Sequence, residues 1–243
     1  MNIAEMHTQF KINVDKVDSF NSQNFEPEEI DVLLNTAQDE LIKQLTRNGV
    51  EQTQSQQDML AAITARVYLN AITGNFQTGA LNKPGGTFVT LPDDYRKALN
   101  EEAVVHTLDC HGDEVNERRK VVPIKYDQYN TAAENPFVKP DKDYCHRLMY
   151  NSDNNNGRKQ VEIIIDGLNP PDNELTAYIL DYLRNPIQMQ YGTQYPAPGA
   201  DIDCELNIDA QQWIIEEASK QALLDIESQR YLAKEKEQDK LNY

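Results

Sequence analysis

The spacing of hydrophobic residues changes from a helical period to a strand period and back along this 243-residue chain. Across residues 1–73 apolar residues recur every three or four positions, which is typical of amphipathic helices. Short alternating runs bounded by turn residues fill positions 87–186, and the helical period returns at residue 209. This order indicates an α+β fold. We predict a helical bundle formed by N-terminal helices and a C-terminal helix, with a central antiparallel β-sheet or small sandwich and extended arms.

The predicted elements fall into five segments of one structural unit. These segments are N-terminal helices (1–73), a glycine-rich loop (74–86), an antiparallel β region (87–186), an extended arm (187–208), and a C-terminal helix and tail (209–243) that closes the helical part. Helices are predicted to begin near Asn2 and at Pro27, and a third is predicted over about 54–73. Strands are predicted over about 87–91, 102–109, 120–126, 144–150, 158–166 and 174–184.

Three segments have the composition of loops or arms. Residues 74–86 hold four of the ten glycines, which predicts a loop long enough to reach a neighbouring molecule. A stretch of about 188–203 carries Pro196 and Pro198, which favour an extended backbone. After Glu227 the apolar stripe thins and the charges alternate in sign. The terminal segment is therefore either a solvated helix end or an arm ordered by a partner.

The acidic charge argues against several classes of function. The formal net charge is −17, with 40 acids spread along the chain, so sequence-specific reading of DNA through a basic patch is disfavoured. An acid-lined pore would instead let a duplex slide without sticking. Three separated cysteines form no disulfide framework, which fits a reducing compartment. No apolar run is long enough to cross a bilayer, so we expect synthesis in the cytoplasm and no membrane contact.

The stretch "LPDDYR" at 91–96 looks at first like the remnant of an acid–base site. Asp93 and Asp94 are adjacent, however, so their side chains diverge in a helix or a strand and do not face a shared substrate. After Pro92, either carboxylate can accept backbone N–H groups of a turn, and Tyr95 can turn its ring towards the core. The stretch is therefore interpreted as architecture.

The candidate metal sites are incomplete. Two Cys-His pairs, at 110–111 and 145–146, each offer about one ligand to a given side of a strand, and no C-x-x-C pair completes the set of four that zinc needs. The loop at 151–157 fails the calcium pattern, because an EF-hand register places Ile163 where a carboxylate is required.

Three further acids form the last candidate site in the sequence. Asp201, Asp203 and Glu205 would align on one side of an extended segment and could hold a cation or a basic partner, although solvated acids are commoner. The sequence contains no phosphate-binding glycine motif and no nucleophile motif. We therefore predict no catalytic residue, no metal and no cofactor.

Four stretches, taken in order, carry a resemblance to known phage proteins. The first runs from His7 to Gln44 and is similar to the start of virion structural proteins of crAss-like bacteriophages, whose pattern is E-I-D-x-x-L-N-x-A-Q. The positions that match this pattern are Glu29, Ile30, Asp31, Leu34, Asn35, Ala37 and Gln38.

The other three stretches resemble tailed-phage head-to-tail adaptor and tail tubular proteins. "LPDDYR" matches one of their elements at Leu91, Pro92, Asp94, Tyr95 and Arg96. "AYILDYLRNP" looks like their recurrent strand, matched at Tyr182, Arg184 and Pro186. The last helix, "IDAQQWIIEEASKQAL", resembles the helix that closes the same fold.

The resemblance implies a virion structural protein of the head-to-tail adaptor or tail tubular type, without catalysis. It implies a ring of twelve copies, in the neck or tail of the virion and assembled in the bacterial host cytoplasm. The expected partners are further copies of the chain, the portal protein, adjacent tail or ring proteins, and genomic DNA that passes through the lumen without specific binding. Interface residues are expected in the three arms: Gly79, Lys83, Gly85, Tyr191, Tyr195, Tyr231 and Leu232.

A second hypothesis comes from another class of protein. An acidic DNA mimic would occupy a nucleic-acid-binding host protein, and a charge of −17 on a compact domain suits such a decoy. A decoy should be a monomer or dimer that competes with DNA, whereas a ring subunit should form a large closed assembly with its portal. The two hypotheses therefore differ in the assembly that they predict.

Overall fold

The structure, a computed structural model, describes residues 1–17, 25–47, 53–79, 82–108, 111–151, 158–166, 173–192 and 200–241. The chain forms two compact units. The helical unit comprises Met1–Ile63 and Pro186–Tyr243, and the sheet unit comprises Thr64–Asn185. The α+β class predicted from the sequence is confirmed. The division into five segments stays a prediction.

Five α-helices and seven strands occur within the described ranges. In chain order they are α1 (Ile3–Val17), α2 (Pro27–Leu45), α3 (Gln54–Leu60), β1 (Thr64–Asn70), β2 (Gly86–Thr90), β3 (Tyr95–Leu108), β4 (Glu114–Pro123), α4 (Tyr129–Glu134), β5 (Tyr144–Asn151), β6 (Lys159–Ile164), β7 (Asn173–Arg184) and α5 (Ile208–Leu241). Short 3₁₀ turns follow α3 and precede α4.

Reciprocal capping bonds fix where the first two helices begin. The Glu5 N–H donates to Asn2 Oδ1 (2.8 Å), and the Asn2 N–H donates to Glu5 Oε2 (3.0 Å). At the start of α2 the Glu26 N–H donates to Glu29 Oε2 (3.0 Å), while Pro27 stands where a missing N–H costs nothing. Both helices begin where the sequence predicts.

The helical unit has a core of apolar stripes from α1, α2 and α5, and both α1 and α2 pack against α5. Its fully or almost fully buried side chains are Ile3, Met6, Phe10, Val14, Ile30, Leu34, Ala37, Leu41, Ile42, Ala210, Ile214, Ile215, Ala218 and Ala222. The alanines on α5 let the helices approach closely. α5 has 34 residues and therefore a length of about 50 Å.

The third helix predicted from the sequence is wrong in its second half. Helix α3 ends at Leu60, and Thr64–Asn70 forms strand β1 instead. The apolar residues of this stretch fit both periods, because Leu60, Ile63 and Val67 share a helix face while Ala65, Val67 and Leu69 alternate as in a strand. Pairing with β7 along all seven residues of β1 selects the strand.

The sheet is mixed rather than purely antiparallel, which corrects the sequence prediction. Its strand order is β1-β7-β3-β4-β5-β6-β2, and every neighbouring pair is antiparallel except β4 and β5. The connection between those two strands contains α4 and is long enough for a parallel crossover. Helix α4 lies in the β region, between β4 and β5. The helices are therefore not all part of the predicted bundle of N-terminal and C-terminal helices.

The sheet is curled, so that the residues directly after the edge strand β1 bond to the opposite edge strand, β2. Gln77, which follows β1, exchanges two backbone hydrogen bonds with Phe88 of β2 (3.0 and 2.9 Å). The Thr90 N–H also donates to the Gly74 carbonyl oxygen (2.7 Å). The concave face encloses one hydrophobic core, whose members are Leu69, Val89, Leu91, Tyr95, Ala103, Val105, Val121, Cys145, Val161, Ile163, Ile165, Leu175, Tyr178, Leu180 and Tyr182.

Candidate functional site

Two of the stretches singled out in the sequence meet in the sheet unit. The Tyr182 hydroxyl on β7 donates to Asp94 Oδ1 (2.9 Å), and the Asn185 N–H donates to the Asp94 carbonyl oxygen (2.7 Å). The Tyr182 ring stacks on Tyr95, with ring centroids 5.9 Å apart. Burial, followed by the bond to Asp94, raises the pKa of Tyr182 to about 12. "LPDDYR" and "YLRNP" are therefore two halves of one contact.

The two acids of "LPDDYR" have separate partners. Asp94 accepts from Tyr182, whereas Asp93 Oδ1 lies 2.6 Å from Arg158 Nε at the surface. An exposed ion pair of this kind contributes little to stability. The side chains do not converge on a shared position, so the geometry offers no acid–base pair.

The remaining positions of these stretches are mostly buried or half-buried. Leu91 and Tyr95 belong to the core, and the Ala98 N–H donates to the Tyr95 hydroxyl oxygen (3.0 Å). Pro92, Arg96, Arg184 and Pro186 are half-buried. Burial also raises the pKa of Tyr95. Leu91 and Tyr95 therefore stabilise the fold of their own chain.

Asp31 and Asn35, on one side of α2, hold an extended segment of the helical unit. The Asn35 amide donates to the Met189 carbonyl oxygen (2.9 Å) and accepts from the Met189 N–H (2.8 Å). Asp31 Oδ2 accepts from the Tyr191 N–H (3.0 Å), and Asp31 Oδ1 lies 2.8 Å from His7 Nε2. The Tyr191 ring lies against the His7 ring, with centroids 4.9 Å apart.

The other "EIDVLLN" positions complete this anchor. Ile30 and Leu34 are buried in the helical core, and Glu29 caps the start of α2. These five positions therefore each have a structural partner within their own unit. Ala37 and Gln38 are also buried, but Gln38 Nε2 has no hydrogen-bond partner among the described residues.

Asp201, Asp203 and Glu205 also bind backbone rather than a cation. Asp201 Oδ1 accepts from the Gly192 N–H (2.8 Å), Asp203 Oδ1 from the Ile3 N–H (2.7 Å), and Glu205 Oε1 from the Ile187 N–H (3.1 Å). Within the described ranges no group of three or more His, Cys, Asp or Glu side chains could hold a metal ion. The three carboxylates, which alternate along the chain as a ligand set would, each bind a different part of the backbone.

A buried carboxylate that was not predicted from the sequence lies beneath the glycine-rich loop. Glu162 on β6 is fully buried, accepts from the Lys83 N–H at Oε1 (2.5 Å) and accepts from the Tyr150 hydroxyl at Oε2 (3.1 Å). Burial, and then the Glu162 charge, raises the pKa values of Tyr126, Tyr129 and Tyr150. The sequence pattern that indicates this buried acid is its position inside the apolar run "VEIII" at 161–165.

A second buried polar cluster lies among core residues of the sheet unit. Arg147 Nε lies 3.0 Å from Glu101 Oε2, but its N–H is not aligned with that oxygen, so the contact is an ion pair without a well-formed hydrogen bond. Burial raises the pKa of Glu101, and the Arg147 charge opposes that rise. Burial, together with Glu101, raises the pKa of Tyr178 well above its usual value.

The Cys-His pair at 145–146 has the properties of a core element. Burial raises the pKa of the Cys145 thiol to about 12 and lowers the pKa of His146. Cys145 faces the sheet core, and Cys204 is also a buried free thiol. Cys110 and most of the loop at 151–157 lie outside the described residues.

Several residues expected at interfaces also contact their own chain. Lys83 Nζ lies 4.7 Å from the Tyr129 ring centroid, and Gly85 receives the Ile165 N–H at its carbonyl oxygen (2.9 Å). Gly79 is exposed. Tyr195, and the side chains of Tyr231 and Leu232 on α5, lie outside the described residues.

Most of the described residues singled out in the sequence bind backbone, pack in cores or pair with one another within their own unit. Residues 1–236 match the family described as phage tail ring protein 3/4 of crAss-like phages. The chain belongs to this family, and the resemblance predicted from the sequence is confirmed. No curated protein matches the chain.

Family membership supports a structural ring role in the phage tail, together with other tail components in the virion. It also suggests a role without enzymatic activity. No helix in the described parts of the chain is long and apolar enough to cross a membrane.

Proposed function

We propose that this chain forms a closed homo-oligomeric ring of twelve copies that lies below the portal and joins it to the tail. The observation that carries the proposal is the family match over residues 1–236, which spans both units. The geometry supports a role in assembly, because "LPDDYR" and "EIDVLLN" stabilise the protomer itself. Such residues stabilise each of the two units, and the arms can then contact other copies.

The acidic charge gives the ring a means to pass DNA without holding it. The chain carries 40 acids against 23 lysines and arginines. Protein–DNA affinity comes largely from cations that displace condensed counterions, so a lumen lined by acids lacks that attraction. Genomic DNA then passes through the channel without specific binding.

The contacts between subunits are assigned to the three arms. The first is the loop at 74–86, with Gly79, Lys83 and Gly85, and the second is the stretch that includes Tyr191 and Tyr195. The third is the C-terminal part of α5, with Tyr231 and Leu232. Residues 74–77 and Met189 are already held by their own chain, so an assembly contact beside them costs less conformational entropy than ordering a free arm would.

Electron microscopy of the purified chain mixed with its portal protein tests the proposal. Class averages should show a ring with rotational symmetry stacked coaxially on the portal. A matched test uses the chain shortened to residues 1–229, which keeps every α5 residue that contributes to the described core. This variant should keep the folded CD spectrum and lose portal binding; undiminished binding contradicts the assignment of the third arm.

The loop arm has its own test at Gly79. Among the described residues, a Cβ added at this position meets only Asn82 Oδ1, at 3.9 Å, so Gly79→Ala should leave the fold unchanged. Gly79→Trp places a large ring at the same exposed point and should block assembly without unfolding the subunit. Normal rings from both variants exclude this loop from the interface.

A further inference from the structure

Strand β1 presents an open edge, and its turn shows which backbone groups face outwards. The Asn70 N–H donates to Thr73 Oγ1 (2.9 Å), and the Asn70 carbonyl accepts from the Gly74 N–H (2.8 Å). Both groups therefore point away from β7. Because alternate residues of a strand point their backbone groups the same way, those of Arg66 and Tyr68 also point away from the sheet.

The opposite side of β7 gives the same assignment independently. The Asn185 N–H donates to the Asp94 carbonyl oxygen, on the side of β7 where β3 lies. Odd-numbered residues at this end of β7 therefore face β3, and Tyr182 faces β1, where it pairs with Ala65. Ala65, Val67 and Leu69 take the hydrogen bonds to β7. The N–H groups of Arg66 and Tyr68 have no partner in the described part of the chain.

The two edges of the sheet differ. The outer side of β2 is occupied by residues 74–77 of the same chain, through the bonds of Gln77 to Phe88 and of Thr90 to Gly74. On the outer side of β1 the described chain bonds only the C-terminal end, where Thr73 Oγ1 accepts from the Asn70 N–H and donates to the Tyr68 carbonyl oxygen (3.5 Å). The sheet thus has one edge closed by its own chain and one edge open to a partner.

Edge strands of monomeric proteins are usually protected by charges, prolines or bulges. The one charged residue of β1, Arg66, donates from its Nη2 to Asp181 Oδ2 (2.8 Å) on the adjacent strand, and this contact lowers the pKa of Asp181. This ion pair holds the Arg66 side chain against the face of the sheet, although the side chain stays 72% exposed. Ala65 and Val67 pack on the core but stay only partly buried. Apart from Arg66, strand β1 carries no charge, proline or bulge that would protect its edge.

We propose that β1 pairs with a strand of a second copy of this chain, extending the sheet across the boundary between adjacent ring subunits. The proposal rests on the ring role of the family. A ring is built from heterologous contacts, in which each copy offers one surface to the next and a different surface to the previous one. An edge that is open on one side only suits such a contact.

Charge also favours this kind of interface. Each copy carries −17, so contacts through charged side chains would add to the repulsion between subunits. Backbone hydrogen bonds carry no net charge, and a strand added at β1 would also cover Ala65 and Val67. Pairing at β1 therefore joins like-charged copies without bringing further acids together.

Residue-resolved hydrogen exchange tests the proposal on the wild-type chain, alone and assembled into rings with its tail neighbours. The Val67 and Leu69 amides should exchange slowly in both samples, because they already pair with β7. The Arg66 and Tyr68 amides should exchange rapidly in the free chain and about 100-fold more slowly in the ring. Rings in which these two amides stay fast overturn the proposal and leave the ring role intact.

A pair of variants at one position separates the backbone contact from the side chain. Tyr68→Pro removes the outward N–H without removing a bond to β7, and Tyr68→Ala removes the ring but keeps the N–H. Both should keep the folded CD spectrum, and only Tyr68→Pro should fail to form rings. Equal assembly of the two variants overturns the proposal, and if the wild-type chain forms no ring under any of these conditions, the proposed function fails with it.

Discussion

The Tyr182 hydroxyl donates to Asp94 Oδ1 at 2.9 Å, although the two residues are separated by 88 positions in the sequence. This bond joins the turn that leads into β3 to the end of β7, the strand with which β3 pairs. Through this bond the stretch at 92–95 and the stretch at 182–184 form a single contact in the sheet unit. The carboxylate fixes a turn, and its partner tyrosine belongs to the core.

Replacing Tyr182 with phenylalanine should destabilise the sheet unit by about 1–2 kcal/mol, because the half-buried Asp94 carboxylate loses its hydroxyl donor while the stacked ring remains. Urea unfolding followed by CD measures the change. The control is Tyr144→Phe, whose hydroxyl makes only an exposed 3.4 Å contact to the Phe137 carbonyl oxygen. This control should stay within about 0.5 kcal/mol of wild type. Equal effects of the two variants would refute the assigned role of the Asp94 bond.

The same contact predicts a dependence on alkaline pH. The pKa of Tyr182 is about 12 in the folded chain, above the value of about 10 for an unfolded tyrosine, because burial and the Asp94 bond favour the neutral hydroxyl. The folded state therefore keeps its proton longer. The stability that Tyr182 contributes is fully present below about pH 10 and is lost as the pH rises towards about 12.

Comparing wild type with Tyr182→Phe across that range isolates this contribution from those of the other buried tyrosines. The difference in unfolding free energy between the two chains should shrink as the pH rises from about 10 to about 12. A difference that stays constant over this range would mean that Tyr182 titrates as an ordinary tyrosine.

Gly85 lies in the loop that covers Glu162, and Gly112, between β3 and β4, serves as its control because both have positive φ. Both have positive φ, +75° and +83°, but a Cβ at Gly85 would lie 2.1 Å from the Ile165 carbonyl oxygen, whereas a Cβ at Gly112 meets no described residue within 4 Å. Gly112→Ala should cost about 1 kcal/mol from backbone strain alone. Gly85→Ala should cost at least about 3 kcal/mol, because strain and a backbone clash add. Similar unfolding free energies for the two variants would contradict the described loop geometry.

Asn35 should be the main attachment of the extended segment to α2. Asn35→Ala removes both hydrogen bonds to Met189 and should cost about 1–3 kcal/mol. Amide exchange at Met189 should accelerate at the same time. The neighbouring Thr36→Ala loses only an exposed bond from its hydroxyl to the Val32 carbonyl oxygen (2.7 Å) and should change stability by less than about 0.5 kcal/mol. Unchanged exchange at Met189 in Asn35→Ala would argue against the anchor.

Local signals in the sequence predict much of the helical unit. The capping pair of Asn2 and Glu5, the proline at the start of α2, and the apolar stripe of α2 are all short-range patterns, and the structure follows them. The class of the fold follows from the same changes of period. These features depend on residues within one or two turns of each other, which is why the sequence alone reveals them.

The features that the sequence does not reveal depend on distant partners. Val67 fits a helix or a strand until β7 is available, and the parallel pairing of β4 with β5 depends on where a crossover returns. Glu162 is buried because the Lys83 N–H and the Tyr150 hydroxyl meet it there. Asp201, Asp203 and Glu205 look like a ligand set until their three separate backbone donors are known.

Imaging of the assembled protein tests the central claim of a tail ring most directly. The purified chain, mixed with its portal protein and tail neighbours, should give electron-microscope class averages of a closed ring with rotational symmetry around an open channel. A chain that stays monomeric or dimeric in the presence of those partners, and is missing from rings in isolated virion tails, would contradict the account.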